Sequence, residues 1–268
     1  MRWLRFEHNG KTVYGVASGD TIEVTDATWC DILAGKTGTV TDSVDRGSVD
    51  LLCPLDRPGK IVAIGLNYLD HCRETNTPPP DRPVIFTKFT TSIVGPGDEI
   101  VWSPQLTAEV DYEAELAAVI GKTARHVSRD EALDYVAGYT CSNDVSARDL
   151  QLGDPQWIRG KSLDTFCPIG PAFITADEVP DPQDLSIRCL LNGEVMQESN
   201  TREMIFGVAE LIEFSSNAFT LEPGDVILTG TPHGVGMGRD PQVWMKDGDT
   251  VVIEIEKLGR LENTCRMV

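Results

Sequence analysis

Positive charge is scarce in this chain of 268 residues. Lys and Arg total 23 against 42 Asp and Glu, a formal net charge of −19, and only eight of the 23 are lysines. Nucleic acids and anionic membranes are bound by clustered basic side chains, so neither is an expected partner. Paired cysteines are also missing. The seven, at 30, 53, 72, 141, 167, 189 and 265, include no CxxC. Their odd number argues against a disulfide framework and their spacing against a zinc site. No stretch approaches the ~20 apolar residues of a membrane-spanning helix. The opening Met1-Arg2-Trp3-Leu4-Arg5-Phe6-Glu7 lacks the apolar core of a signal peptide, and a cytoplasmic protein with reduced thiols is expected. There are no repeats and no low-complexity tracts. The glycine-rich run from Gly230 to Gly238 contains no GxxxxGK[ST] and reads as a substrate-side loop.

What is present is enough apolar sequence, 41%, for a sizeable core. Residues 1–55 read as a small β-rich accessory domain. It comprises a meander over Arg2–Phe6, Thr12–Val16 and Thr21–Val24, a short helix from Thr28 to Ala34 stopped by Gly35, and a returning strand near Asp50–Cys53. Residues 56–268 read as a larger domain. Strands are expected at Lys60–Gly65, Val84–Lys88, the 108–120 run, Ala137–Asn143, 184–191, Val226–Thr229 and Val251–Ile255. Asn192-Gly193 is a hairpin turn signal. Ser128 with Glu131 predicts a capped helix over Asp130–Val136, and the spacing of Ile205, Val208, Ala209 and Ile212 predicts a helix over 204–218. The fold class is mixed α+β, mainly β.

Acidic residues interrupt the apolar run from Val110 to Ile120. Side chains of a strand alternate between faces. Asp111, Glu113 and Glu115 therefore share one face, and Tyr112, Ala114 and Leu116 the other. Carboxylates continuing into buried positions are costly unless compensated, and a divalent cation is the simplest compensation. Asp144 follows another apolar strand. Carboxylates without Cys or His in their motifs suit a hard cation such as Mg²⁺. His71 and Glu74, three apart, form a base and its orienter on one helical face. Lys161, among Gly160 and Ser162, can reach an oxyanion.

These motifs resemble the fumarylacetoacetate hydrolase family. Five stretches carry the resemblance in order: Gly65-Leu66-Asn67-Tyr68-Leu69-Asp70-His71, Asp111-Tyr112-Glu113-Ala114-Glu115-Leu116, Asn143-Asp144-Val145-Ser146-Ala147-Arg148-Asp149, Gly160-Lys161-Ser162-Leu163-Asp164-Thr165-Phe166 and Leu228-Thr229-Gly230-Thr231-Pro232. Ile85-Phe86-Thr87-Lys88-Phe89 and Thr90 to Pro96 narrow it to one subgroup. The resemblance implies a mixed β-sandwich roll and a homodimer. It also implies Mg²⁺ (with Mn²⁺ or Ca²⁺ as substitutes) on Glu113, Glu115 and Asp144. By the same resemblance His71 and Glu74 form a catalytic dyad on a lid, Lys161 contacts substrate, and Gln151 and Thr231 line the pocket, with Arg148 a further candidate for binding substrate. The implied substrate is a small 2-oxo or β-diketo acid whose enolate the cation stabilises. The expected reaction is C–C hydrolysis of an acylpyruvate. The alternatives are oxaloacetate decarboxylation or tautomerisation, isomerisation of 2-hydroxyhepta-2,4-diene-1,7-dioate in aromatic catabolism, and an inactive metal-binding scaffold. One departure stands out: some family members carry arginine where this chain has Leu66. Arg148 or Arg73 would then have to supply the positive charge.

Overall fold

The structure, a computed structural model, describes all of residues 1–268. Its centre is the strand Ala114–Ile120, in which every residue is buried. A strand apolar on both faces needs cover on both. Leu116 and Ala118 enter a core shared with Ile187, Cys189 and Ile253 of a second sheet. Ala117 and Val119 enter a separate cluster with Ile61, Phe173, Val226 and the helix residue Trp29.

The larger sheet has twelve strands. Beside Ala114–Ile120 run Val136–Asn143 on one side and Val226–Leu228 on the other, both antiparallel. Val226–Leu228 pairs in parallel with Ile61–Gly65, and Val84–Lys88 forms the edge. Beyond Val136–Asn143 lies Cys167–Thr175, to which Arg2–His8 joins through Arg2↔Ile174 and Trp3↔Phe173. The sheet thus continues into residues 1–55, through Lys11–Ser18 and Thr21–Thr25 to Val40–Asp45. The second sheet orders Glu194–Asn200, Ser186–Leu191, Thr250–Ile255, Gly259–Met267 and Glu99–Trp102. The fold is mainly β, with mixed sheets and short helices, as the sequence implied. No helix is long and apolar enough to cross a membrane.

Local signals are realised where the partners are local. Thr28 and Asp31 form a reciprocal capping box on the helix Trp29–Leu33, and Gly35 follows with φ +75°. Asn192 and Gly193 take φ of 54° and 83°, as a primed hairpin turn requires. Three expectations change. The 108–120 run is not one strand: Val110–Asp111 pairs with Ser146–Ala147, and the long ladder begins at Ala114. The break arises because three successive backbone N–H groups donate to side chains. Tyr112 N donates to Asp111 Oδ1, Glu113 N to Asn143 Oδ1 and Ala114 N to Gln197 Oε1, each at 2.9 Å. The helix expected over Asp130–Val136 is only a 3₁₀ turn, Ala132–Tyr135, because Ser128 Oγ bonds the Glu131 carboxylate and caps no backbone N–H. The helix expected from 204 starts at Val208, because Ile205 N and Phe206 N are held by Asn67.

Candidate active site

Asn67 fixes the entrance to the site. Its Nδ2 donates to Phe206 O and Thr229 O, at 3.0 and 2.7 Å, and its Oδ1 accepts from Phe206 N. Gly230 makes this clamp fit: its φ is +93°, and a Cβ there would lie 2.7 Å from Asn67 Cβ. With Asn67 pinned, Leu66 is held at φ 48°, a left-handed conformation uncommon for leucine, and its side chain lines the cavity.

The helix Leu69–Glu74 follows, carrying the dyad. His71 Nδ1 lies 2.9 Å from Glu74 Oε2, and His71 is buried. The helix is latched to the glycine-rich loop: Gly234 N donates to Glu74 Oε1 at 2.8 Å, and Asp70 accepts from Ser199 Oγ and His233 N. Burial pushes the Glu74 carboxyl up, but the His71 and Gly234 bonds outweigh it and hold it below the usual range.

Across the cavity stand the acids. Oxygen atoms of Glu113, Glu115 and Asp144 lie within 4.8 Å of one another, all on buried residues. Lys161 Nζ donates to Glu113 Oε2 at 2.6 Å and Asp144 Oδ2 at 2.9 Å. Arg148 Nη1 lies 2.7 Å from Glu113 Oε1, and its Nε donates to Asp111 Oδ2 at 2.8 Å. Four buried carboxylates, counting Asp111, thus face three buried cations, Lys88, Arg148 and Lys161. Glu115 is the one without an ion-pair partner; Gly230 N donates to it at 2.8 Å. Burial, with Asp144 and Glu113 beside it, pushes the Glu115 carboxyl well up. Burial also acts on Glu113, but Lys161 and Arg148 overcome it and hold that carboxyl below the usual range. The triad is rich in oxygen, without sulfur or nitrogen donors, and with Asp111 the cluster carries one carboxylate in excess of its cations. This donor set fits a hard divalent cation.

One cavity of about 190 Å³ collects the expected residues. His71, Glu113, Glu115 and Lys161 line it, with Arg148, Gln151 and Thr231. Glu74 and Asp144 reach it through their bonds to His71 and Lys161. Asp111 is spent on Arg148 and the backbone N–H of Gly236. Of the two arginines that could replace one at position 66, Arg148 is at the cavity, whereas Arg73 is exposed and pairs with Glu203. His233 is half-exposed and does not line the cavity.

Three contributors are not among the residues the sequence singled out for the site. Lys88 is 1% exposed and donates to Asp144 Oδ1 and Val145 O. Gln197 holds both the strand break at Ala114 and Thr231 Oγ1, the latter at 2.9 Å. Trp157 closes one side of the cavity. Only the rarity of lysine, and its place at the end of an apolar strand, hinted at Lys88.

Fold and site together define a class: β-rich enzymes that gather a buried carboxylate triad, a lysine and a histidine–glutamate dyad around one small cavity. The family model described as fumarylacetoacetate (FAA) hydrolase, C-terminal, matches residues 60–266, and the chain belongs to that family of enzymes. A second model, Rv2993c-like, N-terminal, matches residues 1–54. "Oxaloacetate tautomerase FAHD2A, mitochondrial" from Bos taurus is 53% identical over 220 residues, 81% of this chain and 70% of the relative. Among solved structures, the fumarylacetoacetate hydrolase of Exiguobacterium antarcticum superposes with a TM-score of 0.90 at 40% identity, covering 100% of both chains. The 2-hydroxyhepta-2,4-diene-1,7-dioate isomerase of Mycobacterium marinum gives 0.86 at 38%, covering 100% of this chain and 98% of that one. The subgroup marked by Ile85 to Pro96 is thus the domain-containing protein 2 type.

Proposed function

We propose that this enzyme interconverts the keto and enol forms of a short 2-oxo acid, with oxaloacetate as substrate and a divalent cation on Glu113, Glu115 and Asp144. The observation that carries the reading is that His71, Glu113, Glu115 and Lys161 line one cavity of about 190 Å³, with Glu74 bonded to His71 and Asp144 to Lys161 behind them. Ligand pockets commonly span ~300–1,000 Å³, so this one favours a small acid. Among the reactions open to the family, C–C hydrolysis of an acylpyruvate needs room for an acyl tail and a water. Tautomerisation needs only a proton carrier at C3. The relatives at 53% identity are named as oxaloacetate tautomerases, which favours the same choice.

When bound, Mg²⁺ would supply Lewis-acid polarisation of the 2-oxo oxygen. The remaining work falls to side chains. Glu74 holds His71 through Nδ1, which leaves Nε2 to take the C3 proton of the keto form, or to give one to C3 of the enolate in the reverse direction, while the 2-oxygen gains or loses its proton with Lys161 Nζ or solvent. Glu74 also stabilises the imidazolium while the proton is held. Lys161 Nζ can turn from Glu113 and Asp144 to the oxygen on which charge develops. Arg148 supplies positive potential that position 66, a leucine, lacks.

The test is to follow decay of enol-oxaloacetate by ultraviolet absorbance with Mg²⁺, and pyruvate release from oxaloacetate and from acylpyruvates in parallel. Accelerated enol–keto exchange without pyruvate release is expected. Pyruvate release from an acylpyruvate without enol–keto exchange would return the reading to hydrolysis.

A further inference from the structure

We infer that Trp157, seated on Gly65, sets the length of the acid that the cavity admits and holds it to about four or five carbons; this rests on the tautomerase reading above. Gly65 ends the strand Ile61–Gly65, whose other residues are apolar and buried. A glycine weakens a strand by ~0.5–1 kcal/mol relative to alanine, and no positive φ calls for one here. The reason is contact. A Cβ at position 65 would lie 2.4 Å from Trp157 Cζ3 and 2.9 Å from Cη2. The strand surface is bare where the indole lies on it.

The indole is tied to the reacting groups by an aromatic relay. Trp157 meets Phe86 edge-on, with centroids 5.5 Å apart at 70°. Phe86 lies under Lys161, whose Nζ is 5.2 Å from the ring centroid. Lys161 in turn holds Glu113 and Asp144. The relay runs from the carboxylate triad to the indole, and Leu66 and Leu152 line the cavity with it. Both cations on the cavity wall, Arg148 and Lys161, are engaged at the carboxylates. An acid extending past the reacting carbons therefore meets the indole and leucines. A long acyl tail meets the indole there, and the far carboxylate of a seven-carbon dienedioate would lie against apolar side chains with no cation to pair it, which is unfavourable. The same wall leaves room for a four-carbon acid, whose second carboxylate stays near Arg148 and Gln151.

The experiment uses two variants, Trp157→Ala and Gly65→Ala, each first checked for Mg²⁺ binding by calorimetry. Binding of pyruvate, 2-oxobutyrate, 2-oxohexanoate and 2-oxooctanoate is then titrated with Mg²⁺ present, and kcat and KM are measured for oxaloacetate. In the wild type, affinity should drop at least tenfold from the short to the long acids, since a misfitting methylene in an apolar pocket costs roughly 10–200-fold. Trp157→Ala should bring the long acids to within threefold of pyruvate or better. It should act on oxaloacetate through KM more than through kcat. Gly65→Ala keeps the indole but displaces it, and should move the length profile the same way by a smaller factor. If both variants bind Mg²⁺ and pyruvate yet keep the wild-type length profile, the inference fails and the tautomerase reading stands. If the wild type binds the acids without regard to length, the inference also fails. If it binds none of them with Mg²⁺ present, the functional reading fails and takes the inference with it.

Discussion

One wall of the cavity is charged and rests on the middle of the large sheet. Glu115 lies within Ala114–Ile120, Glu113 at its entrance, and Asp144 just past Val136–Asn143. Lys88, Arg148 and Lys161 brace them, and all six side chains are buried. The facing wall is built from short pieces: the six-residue helix with His71 and Glu74, Leu66 at a strand end, and Trp157 ahead of the four-residue helix Ile158–Lys161. Holding like charges together requires a frame that cannot relax, and central strands provide one. Fitting and moving a substrate requires parts that can be altered without disturbing that frame. The comparison therefore predicts that lesions on the charged wall cost metal binding or folding, and lesions on the facing wall cost turnover or selectivity.

The largest effect is expected from Glu115→Ala. Mg²⁺ binding by calorimetry and enol–keto exchange should vanish together, with exchange reduced by at least ~10³-fold, as loss of a metal's catalysis implies. Retained Mg²⁺ affinity would remove Glu115 from the site. Next comes Lys88→Met, which leaves Asp144 short of a buried partner. Breaking a buried pair from one side costs about 3–5 kcal/mol, readable by denaturant titration, and added Mg²⁺ should recover part of it. Unchanged stability would show that Lys161 suffices for Asp144.

A pH series sharpens the same contrast. The Glu115 carboxyl is raised in the folded protein, so its contribution to stability is full below the ordinary glutamate range and is lost as pH rises through the raised value. The Glu113 carboxyl is lowered, so its contribution holds above the ordinary range and is lost in stronger acid. Metal-free protein should then lose stability as pH is raised from below to above the ordinary glutamate range, and Mg²⁺ should raise Tm more at the higher of two such pH values. An equal Tm gain at both would contradict the assignment of Glu115 as the uncompensated acid. The smallest effect is expected from Leu66→Ala on the facing wall: a KM for oxaloacetate raised a few-fold, with Mg²⁺ affinity unchanged. A large loss of Mg²⁺ affinity would erase the distinction between the walls.

The two walls also differ in how far the sequence discloses them. Glu113 and Glu115 announce themselves by alternation inside an apolar run, and the strand period places both on the cavity side even though the ladder breaks at Tyr112. His71 and Glu74 need only helical spacing to meet. Lys88 and Gln197 are invisible to such periods, because their partners lie 56 and 83 residues away in the chain. The early start assigned to the 204–218 helix has the same cause: Asn67, 139 residues distant, holds Phe206 N outside the helix. Gly65 was readable as a strand end. That it exists for Trp157 follows only once the indole is seen lying on it.

The most direct test is to measure enol–keto exchange of oxaloacetate by His71→Ala protein at saturating Mg²⁺, with the Mg²⁺ affinity of the same sample determined by calorimetry. Mg²⁺ affinity within about threefold of wild type and exchange slowed by ~10²–10⁴-fold, the usual worth of a general base, is the expected result. Exchange at the wild-type rate would contradict the division of labour between the two walls.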